Sequence, residues 1–131
     1  MHITPFYAAL LALLFMALSV RTLRMRGRLK IAMGDAGNPE MLRAMRVHAN
    51  FAEYVPLALL LLYFNEVRGA GSVPLHAAGI LLVAGRLLHA WGVSHVAENF
   101  RFRAAGVVIT LTTIGVGAVS LLVGYARAGF A

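Results

Sequence analysis

Five polar residues that could bind a charged small molecule lie close together on one predicted helix. At 100° per residue they occupy about a third of the helix circumference: Arg43, Arg46, Asn50, Glu53 and Tyr54. Arginine binds carboxylates through paired hydrogen bonds, an amide binds peptide groups, and a carboxylate binds an ammonium group. The pattern therefore predicts a site for a small zwitterionic or polyanionic molecule.

A second polar group lies on the third apolar stretch, where Arg86 and His89 share one helix face. Counted from the same membrane surface, their depths of about 10 to 15 Å bracket the depth of Glu53. An arginine at this depth has to face the bundle interior and find anionic or carbonyl partners. Glu53 is therefore either part of the site or half of a structural ion pair, with Arg86 or with Arg46 of a neighbour. The histidine and carboxylate spacings match no metal-binding motif, so no metal site is predicted.

The composition is that of an integral membrane protein. Of the 131 residues, 60% are hydrophobic and 13% are charged, and the mean hydropathy is +0.78. One small soluble core cannot bury that much apolar surface, and a disordered chain would carry far less of it. The absence of cysteine excludes a disulfide scaffold, a thiolate metal site and a cysteine nucleophile. We assign the net charge of +7 to loops beside anionic lipid, and not to nucleic-acid binding.

Four apolar stretches are long enough to cross a bilayer as helices, which takes about 20 residues. They cover roughly residues 3–20, 47–64, 73–96 and 104–126. We therefore predict an all-α integral membrane protein, a four-helix bundle that forms a single domain over residues 1–131. Positive charges follow the first stretch and do not precede it, which is typical of an uncleaved span.

The basic residues are distributed unevenly between the loops. Seven of the twelve lie within residues 21–46, and Arg101 and Arg103 lie between the third and fourth stretches. The opposite side carries Arg68 and Arg127. Because cytoplasmic loops carry the excess of Lys and Arg, both basic loops are predicted to be cytoplasmic. Both termini are then outside, and the expected location is the cell inner membrane.

The fourth stretch has small or hydroxylated residues at alternating steps of four and three. This spacing places them on one narrow helix face: Gly106, Thr110, Thr113, Gly117, Ser120 and Gly124. Small residues on one face let helix backbones approach closely in lipid. We therefore predict that this face packs within the bundle or between subunits, and we assign it no chemistry.

The segment from residue 34 to residue 57 resembles the MAPEG family, the membrane-associated proteins of eicosanoid and glutathione metabolism. The motif that carries the resemblance is R-x-x-x-N-x-x-E-Y-x-P-L at residues 46–57. It is similar to the second helix of the leukotriene C synthases, and the wider pattern is similar to the small bacterial branch of the family. The resemblance implies a homotrimer of four-helix bundles that binds glutathione, as co-substrate, between neighbouring subunits near the cytoplasmic side.

The resemblance also implies roles for individual residues. It assigns glutathione contacts to residues of the second and third helices: Arg43, Arg46, Asn50, Glu53, Tyr54, Arg86 and His89. Arg21 or Arg24 would reach the site from a neighbouring subunit. An arginine just after the third helix activates the thiol in the family's synthases, and both Arg101 and Arg103 lie near that position. The tyrosine that ends the family's third-helix pattern is replaced here by Val93.

Three functions are compatible with these observations. The first is a glutathione-dependent transferase or peroxidase that acts on lipophilic electrophiles or lipid hydroperoxides. The second is a non-catalytic lipid-binding protein that resembles the lipoxygenase-activating protein of the same family. The third is a small proton-coupled exporter, since such transporters also have four short spans and one membrane glutamate. The position of Glu53 toward one membrane face, with basic neighbours, argues against the exporter.

Overall fold

The computed structural model describes residues 2–94 and 99–128, and the regular structure in these residues is helical. The four helices are α1 (Thr4–Leu29), α2 (Pro39–Val67), α3 (Ser72–Val93) and α4 (Phe100–Ala128). All four are long and apolar enough to cross a membrane. The predicted all-α four-helix membrane fold is confirmed. The predicted end of the third span and His95 fall on residues 95–98, outside the described residues.

The register of α2 is fixed by its first turn. The Asn38 side chain accepts hydrogen bonds from the backbone N–H groups of Glu40 and Met41, each at 3.0 Å. Pro39 occupies the first helical position, where its missing N–H has no cost, and Glu40 lies at the positive end of the helix dipole. The helix therefore begins about two turns before the apolar stretch. Arg43 and Arg46 lie in these first two turns, at the membrane surface.

The start of α1 is held by a carboxylate from the end of α2. Glu66 accepts hydrogen bonds from the backbone N–H groups of Ile3 and Thr4, the latter at 3.0 Å. The first N–H groups of a helix have no intrahelical partner. A carboxylate at this end is also attracted to the positive end of the helix dipole. This contact ties the start of α1 to the end of α2.

Close backbone contact between α3 and α4 explains the small residues on the fourth helix. A Cβ added at Gly106 would lie 2.5 Å from the backbone nitrogen of His89, and one added at Gly92 would lie 2.5 Å from that of Arg103. Farther along α4, a Cβ at Gly117 would lie 3.3 Å from Leu61 of α2. No larger side chain fits between α3 and α4 at Gly106, so this part of the face packs within the bundle, whereas Ser120 on the same face is exposed.

The remaining core lies between α1, α2 and α3. Its buried side chains include Leu11, Val47, Phe51 and Leu82. Most other large apolar side chains of α1 and α4 are exposed, for example Leu122 with 69% of its surface accessible. In a bilayer these side chains contact lipid, so the bundle does not need a larger core.

Candidate functional site

A cleft opens between α2, α3 and the start of α4 at the basic end of the bundle. It has a volume of about 310 Å³ and is lined mainly by polar side chains. Five of the residues predicted from the sequence line it: Arg43, Arg46, Asn50, His89 and Arg103. Pro39, Leu42 and Val93 complete the lining. Three arginines around one cavity of this size favour a ligand with carboxylate or other anionic groups.

The buried guanidinium of Arg86 lies beneath this cleft and holds Asn50 in place. Arg86 is 2% exposed, and its Nη1 donates a hydrogen bond of 2.7 Å to Oδ1 of Asn50. Its Nε donates to Oγ1 of Thr110 at 3.1 Å, and Nη2 donates to the carbonyl of Gly106 at 3.4 Å. The expected interior orientation of Arg86 is found, with an amide, a hydroxyl and a carbonyl as its hydrogen-bond acceptors.

The structural ion pair between Glu53 and Arg86 is not formed. In the described residues the ion pairs join Glu66 to His2 and Glu40 to Arg28. Glu53 is exposed on the outward side of α2, about 10 Å deeper in the membrane than Arg46. A carboxylate at that depth is unfavourable against lipid unless it is paired or in contact with water.

Tyr54 lies beside this outward face, and His48 lies on the opposite side of α2. Tyr54 is half-buried, with the guanidinium carbon of Arg86 5.7 Å from its ring centre. His48 faces away from the cleft: its Nε2 lies 2.9 Å from Oγ of Ser19, and its ring stacks on Phe15 of α1. The structure therefore keeps His48 in the packing between α1 and α2.

The comparison with known sequences identifies the fold. Residues 4–123 match the sequence profile of the MAPEG family. The chain belongs to the MAPEG family. It is 41% identical over 108 residues to "Inner membrane protein YecN" of Escherichia coli strain K12 and to the protein of that name from Escherichia coli O6:H1. Each alignment covers 82% of this chain and 81% of the relative.

The two arginines considered for the thiol-activating role of MAPEG synthases differ in position. Arg103 lines the cleft and its backbone packs directly against α3 at Gly92. Both side chains are exposed, but Arg101 is not part of the cleft lining. The sequence leaves open which of the two arginines matches the family's position after the third helix. In the structure Arg103 lines the cleft and Arg101 lies outside it.

Arg21 and Arg24 lie away from the cleft in the single subunit. They line a shallow groove on α1, and Nη2 of Arg21 donates a hydrogen bond of 3.1 Å to the carbonyl of Ser94. This contact ties the end of α1 to the end of α3. The expected contribution of these arginines to a neighbouring MAPEG subunit's site stays a prediction.

Thr110 is the residue that the sequence analysis missed. Thr110 is 1% exposed. Its hydroxyl accepts a hydrogen bond from Arg86 and donates one of 2.8 Å to the carbonyl of Gly106. The sequence places it on a helix face to which we assign packing alone. Its hydroxyl at the same depth as Arg86, on a helix predicted to pack closely, is the signal that could have identified it. In the described residues no three His, Asp or Glu side chains cluster as metal ligands.

Proposed function

We propose that this MAPEG protein is a homotrimeric membrane enzyme that transfers glutathione to lipophilic electrophiles or reduces lipid hydroperoxides with it. The observation that carries the proposal is the convergence of Arg43, Arg46, Asn50 and Arg103 on one cleft at the basic end. The named relatives support a location in the inner membrane. The excess of basic residues at this end supports a cytoplasmic opening, with both termini outside.

Glutathione matches the chemistry of the cleft group by group. Its two carboxylates fit the guanidinium groups of Arg43 and Arg46, which can bind them bidentately. Asn50 already accepts a hydrogen bond from Arg86 through Oδ1. Its amide nitrogen is therefore left to donate to a peptide carbonyl of the ligand. Arg86 acts in this scheme as a positioning residue, because it holds the amide in one orientation.

The exposed carboxylate of Glu53 supports both the ligand and the assembly. Its charge complements the ammonium group of glutathione, so that the γ-glutamyl end of the ligand lies deeper in the membrane than the glycine carboxylate. In a trimer a neighbouring subunit covers this face of α2 and removes Glu53 from lipid. Tyr54 on the same face, and Arg21 or Arg24 of the neighbour, would complete the enclosure.

Thiolate formation is the step that the protein has to promote. A thiol with an ordinary pKa of about 8.5 is mostly protonated at neutral pH, and a nearby guanidinium favours the thiolate. We assign this role to Arg103, with Arg101 as the alternative. The thiolate sulfur then attacks the electrophilic carbon, a carbon–sulfur bond forms, and the leaving group departs with the bonding electron pair. With a hydroperoxide, two glutathione molecules are oxidised to the disulfide while the lipid alcohol and water are formed.

A non-catalytic lipid-binding protein is the second candidate. Val93 lines the cleft where the MAPEG pattern has a tyrosine, so a hydroxyl donor is absent from the α3 wall. Loss of that donor favours a cleft that binds a ligand without turning it over. The two functions differ in whether a bound thiol reacts.

Paired ligands separate the two candidates. Calorimetric titration of the purified protein should detect binding of both glutathione and S-methylglutathione, whose thiol is blocked. Turnover of an aryl chloride electrophile, measured as thioether formation, should occur with glutathione and not with S-methylglutathione. Binding without turnover of either an electrophile or a lipid hydroperoxide would replace the enzyme proposal by the lipid-binding one. Absence of binding would contradict both glutathione roles.

A further inference from the structure

Two cavities meet at the end of the bundle opposite the cleft. The first is an apolar groove of about 290 Å³ between α2, α3 and α4, bordered by small residues such as Ala58 and Gly117. The second is a polar recess of about 380 Å³ that contains Arg68 and Arg127. Asn65 lines both cavities. Together they form one continuous surface, apolar in the membrane and basic at its end, which we call the distal groove.

The dimensions of the distal groove match one leaflet of a bilayer. Its apolar part follows α4 from Thr112 to Ser120, a distance of about 12 Å. Half of a hydrocarbon core of about 30 Å is about 15 Å. Arg127 lies about 10 Å farther along α4, at the level of the headgroups. The change from apolar to basic surface therefore coincides with the change from acyl chain to headgroup.

Arg68 is held in place at the basic end. Its Nη1 donates a hydrogen bond of 2.9 Å to the carbonyl of Leu121, and its guanidinium carbon lies 4.7 Å from the centre of the Tyr125 ring. The guanidinium also lies against Gly124, where a Cβ would come within 2.1 Å of its nitrogens. Because arginine has five N–H donors, one bond to a carbonyl leaves others for an anion.

The distal groove lies on a different side of α2 from Glu53. Ala58, on the groove, lies about 140° around α2 from Glu53. The α2 residues of the groove are therefore centred on a different side of the helix from Glu53.

We propose that the distal groove binds an anionic phospholipid, with one acyl chain between α2, α3 and α4 and the phosphate between Arg68 and Arg127. Two arginines at the headgroup level complement a phosphate, and a groove as long as one leaflet complements the chain. This site is at the opposite end of the bundle from the glutathione cleft and does not depend on the proposed function.

Native mass spectrometry of the full chain in mild detergent tests the proposal. The protein is incubated with equal amounts of phosphatidylglycerol and phosphatidylcholine that carry the same acyl chains, and the retained lipids are counted. Phosphatidylglycerol should be retained preferentially. Arg127→Gln should reduce that preference about five-fold, since each arginine near a lipid surface favours an anionic lipid by about this factor. Lys30→Gln, the loss of one exposed charge at the other end, should have a smaller effect because it leaves the groove intact.

A second pair of variants tests the acyl chain. Ala77→Phe places a large side chain in the exposed part of the groove and should reduce retention of both lipids. Ala12→Phe, an equal change on the exposed surface of α1, should not. Equal retention of the two lipids, or equal effects of Arg127→Gln and Lys30→Gln, would overturn the proposal. So would an Ala77→Phe variant that changes the subunit number while lipid retention stays the same, because the groove would then hold a second copy of the chain.

Discussion

Replacement of Glu53 by glutamine separates a ligand-binding carboxylate from a structural one. The substitution keeps the size and hydrogen-bonding capacity of the side chain and removes its charge. In the subunit Glu53 is exposed and lies outside the ion pairs of the described residues, so its loss leaves no buried arginine unpaired. We therefore expect the thermal stability of the ligand-free protein to stay within about 0.5 kcal/mol of the wild type.

The affinity for glutathione should fall substantially in the same variant. A hydrogen bond between an ammonium group and a carboxylate contributes about 1.5–3 kcal/mol, and replacing it with a neutral acceptor loses most of that energy. The expected loss is about ten- to a hundred-fold in Kd. Calorimetric titration of glutathione gives the affinity, and native mass spectrometry of the same sample gives the subunit number. We expect the trimer to persist.

Thermal unfolding without ligand provides the decisive control. If Glu53 neutralises an arginine of a neighbouring subunit, Glu53→Gln leaves a buried charge unpaired and stability falls by several kcal/mol. Unchanged glutathione affinity together with a lower unfolding temperature would refute the ligand role. Lower affinity together with unchanged stability supports it.

Four further predictions address the remaining parts of the site and fold. Asn50→Ala should lower stability by about 1–3 kcal/mol in thermal unfolding even without ligand, because the buried guanidinium beneath it loses its closest acceptor. Arg103→Gln should lower turnover with little change in glutathione Kd, whereas Arg101→Gln should change neither; the reverse order would move the thiol-activating role to Arg101. Glu66→Gln should lower the unfolding temperature and leave glutathione affinity unchanged, because this carboxylate holds the start of α1, away from the cleft. Reporter fusions should place Gly34 in the cytoplasm and the C-terminus outside, and a cytoplasmic C-terminus would contradict the orientation.

The sequence predicted the elements that depend on local or averaged properties. Hydropathy over about 20 residues locates a membrane helix, and Asn38 with Pro39 defines the start of α2 through contacts within one turn. Helical periodicity then places Arg43, Arg46 and Asn50 on one side of α2, where the structure shows them lining one cleft. These inferences need no knowledge of how the helices pack.

Contacts between helices could not be predicted in the same way. Helical periodicity places Arg86 on the interior face of α3 but does not say which helix supplies its partner. The answer depends on the rotation of α4, which the close approach at Gly106 sets and which brings Thr110 to the guanidinium. The choice between Arg101 and Arg103 depends on the same rotation, since side chains two positions apart on a helix point in directions that differ by about 200°.

The depth of each charged group determines how a zwitterionic ligand would be oriented. The arginines of the cleft lie near the membrane surface and Glu53 lies about 10 Å deeper, so the field along α2 directs the glycine carboxylate of glutathione toward water and the γ-glutamyl ammonium group toward the bilayer. His89 and Val93 of α3 form the wall of the cleft opposite α2. Because valine offers an apolar surface where a hydroxyl would bind the ligand, this wall favours contact with a lipid chain. In the proposed complex the peptide is therefore held from the α2 side, and its α3 side is open to a lipophilic second ligand.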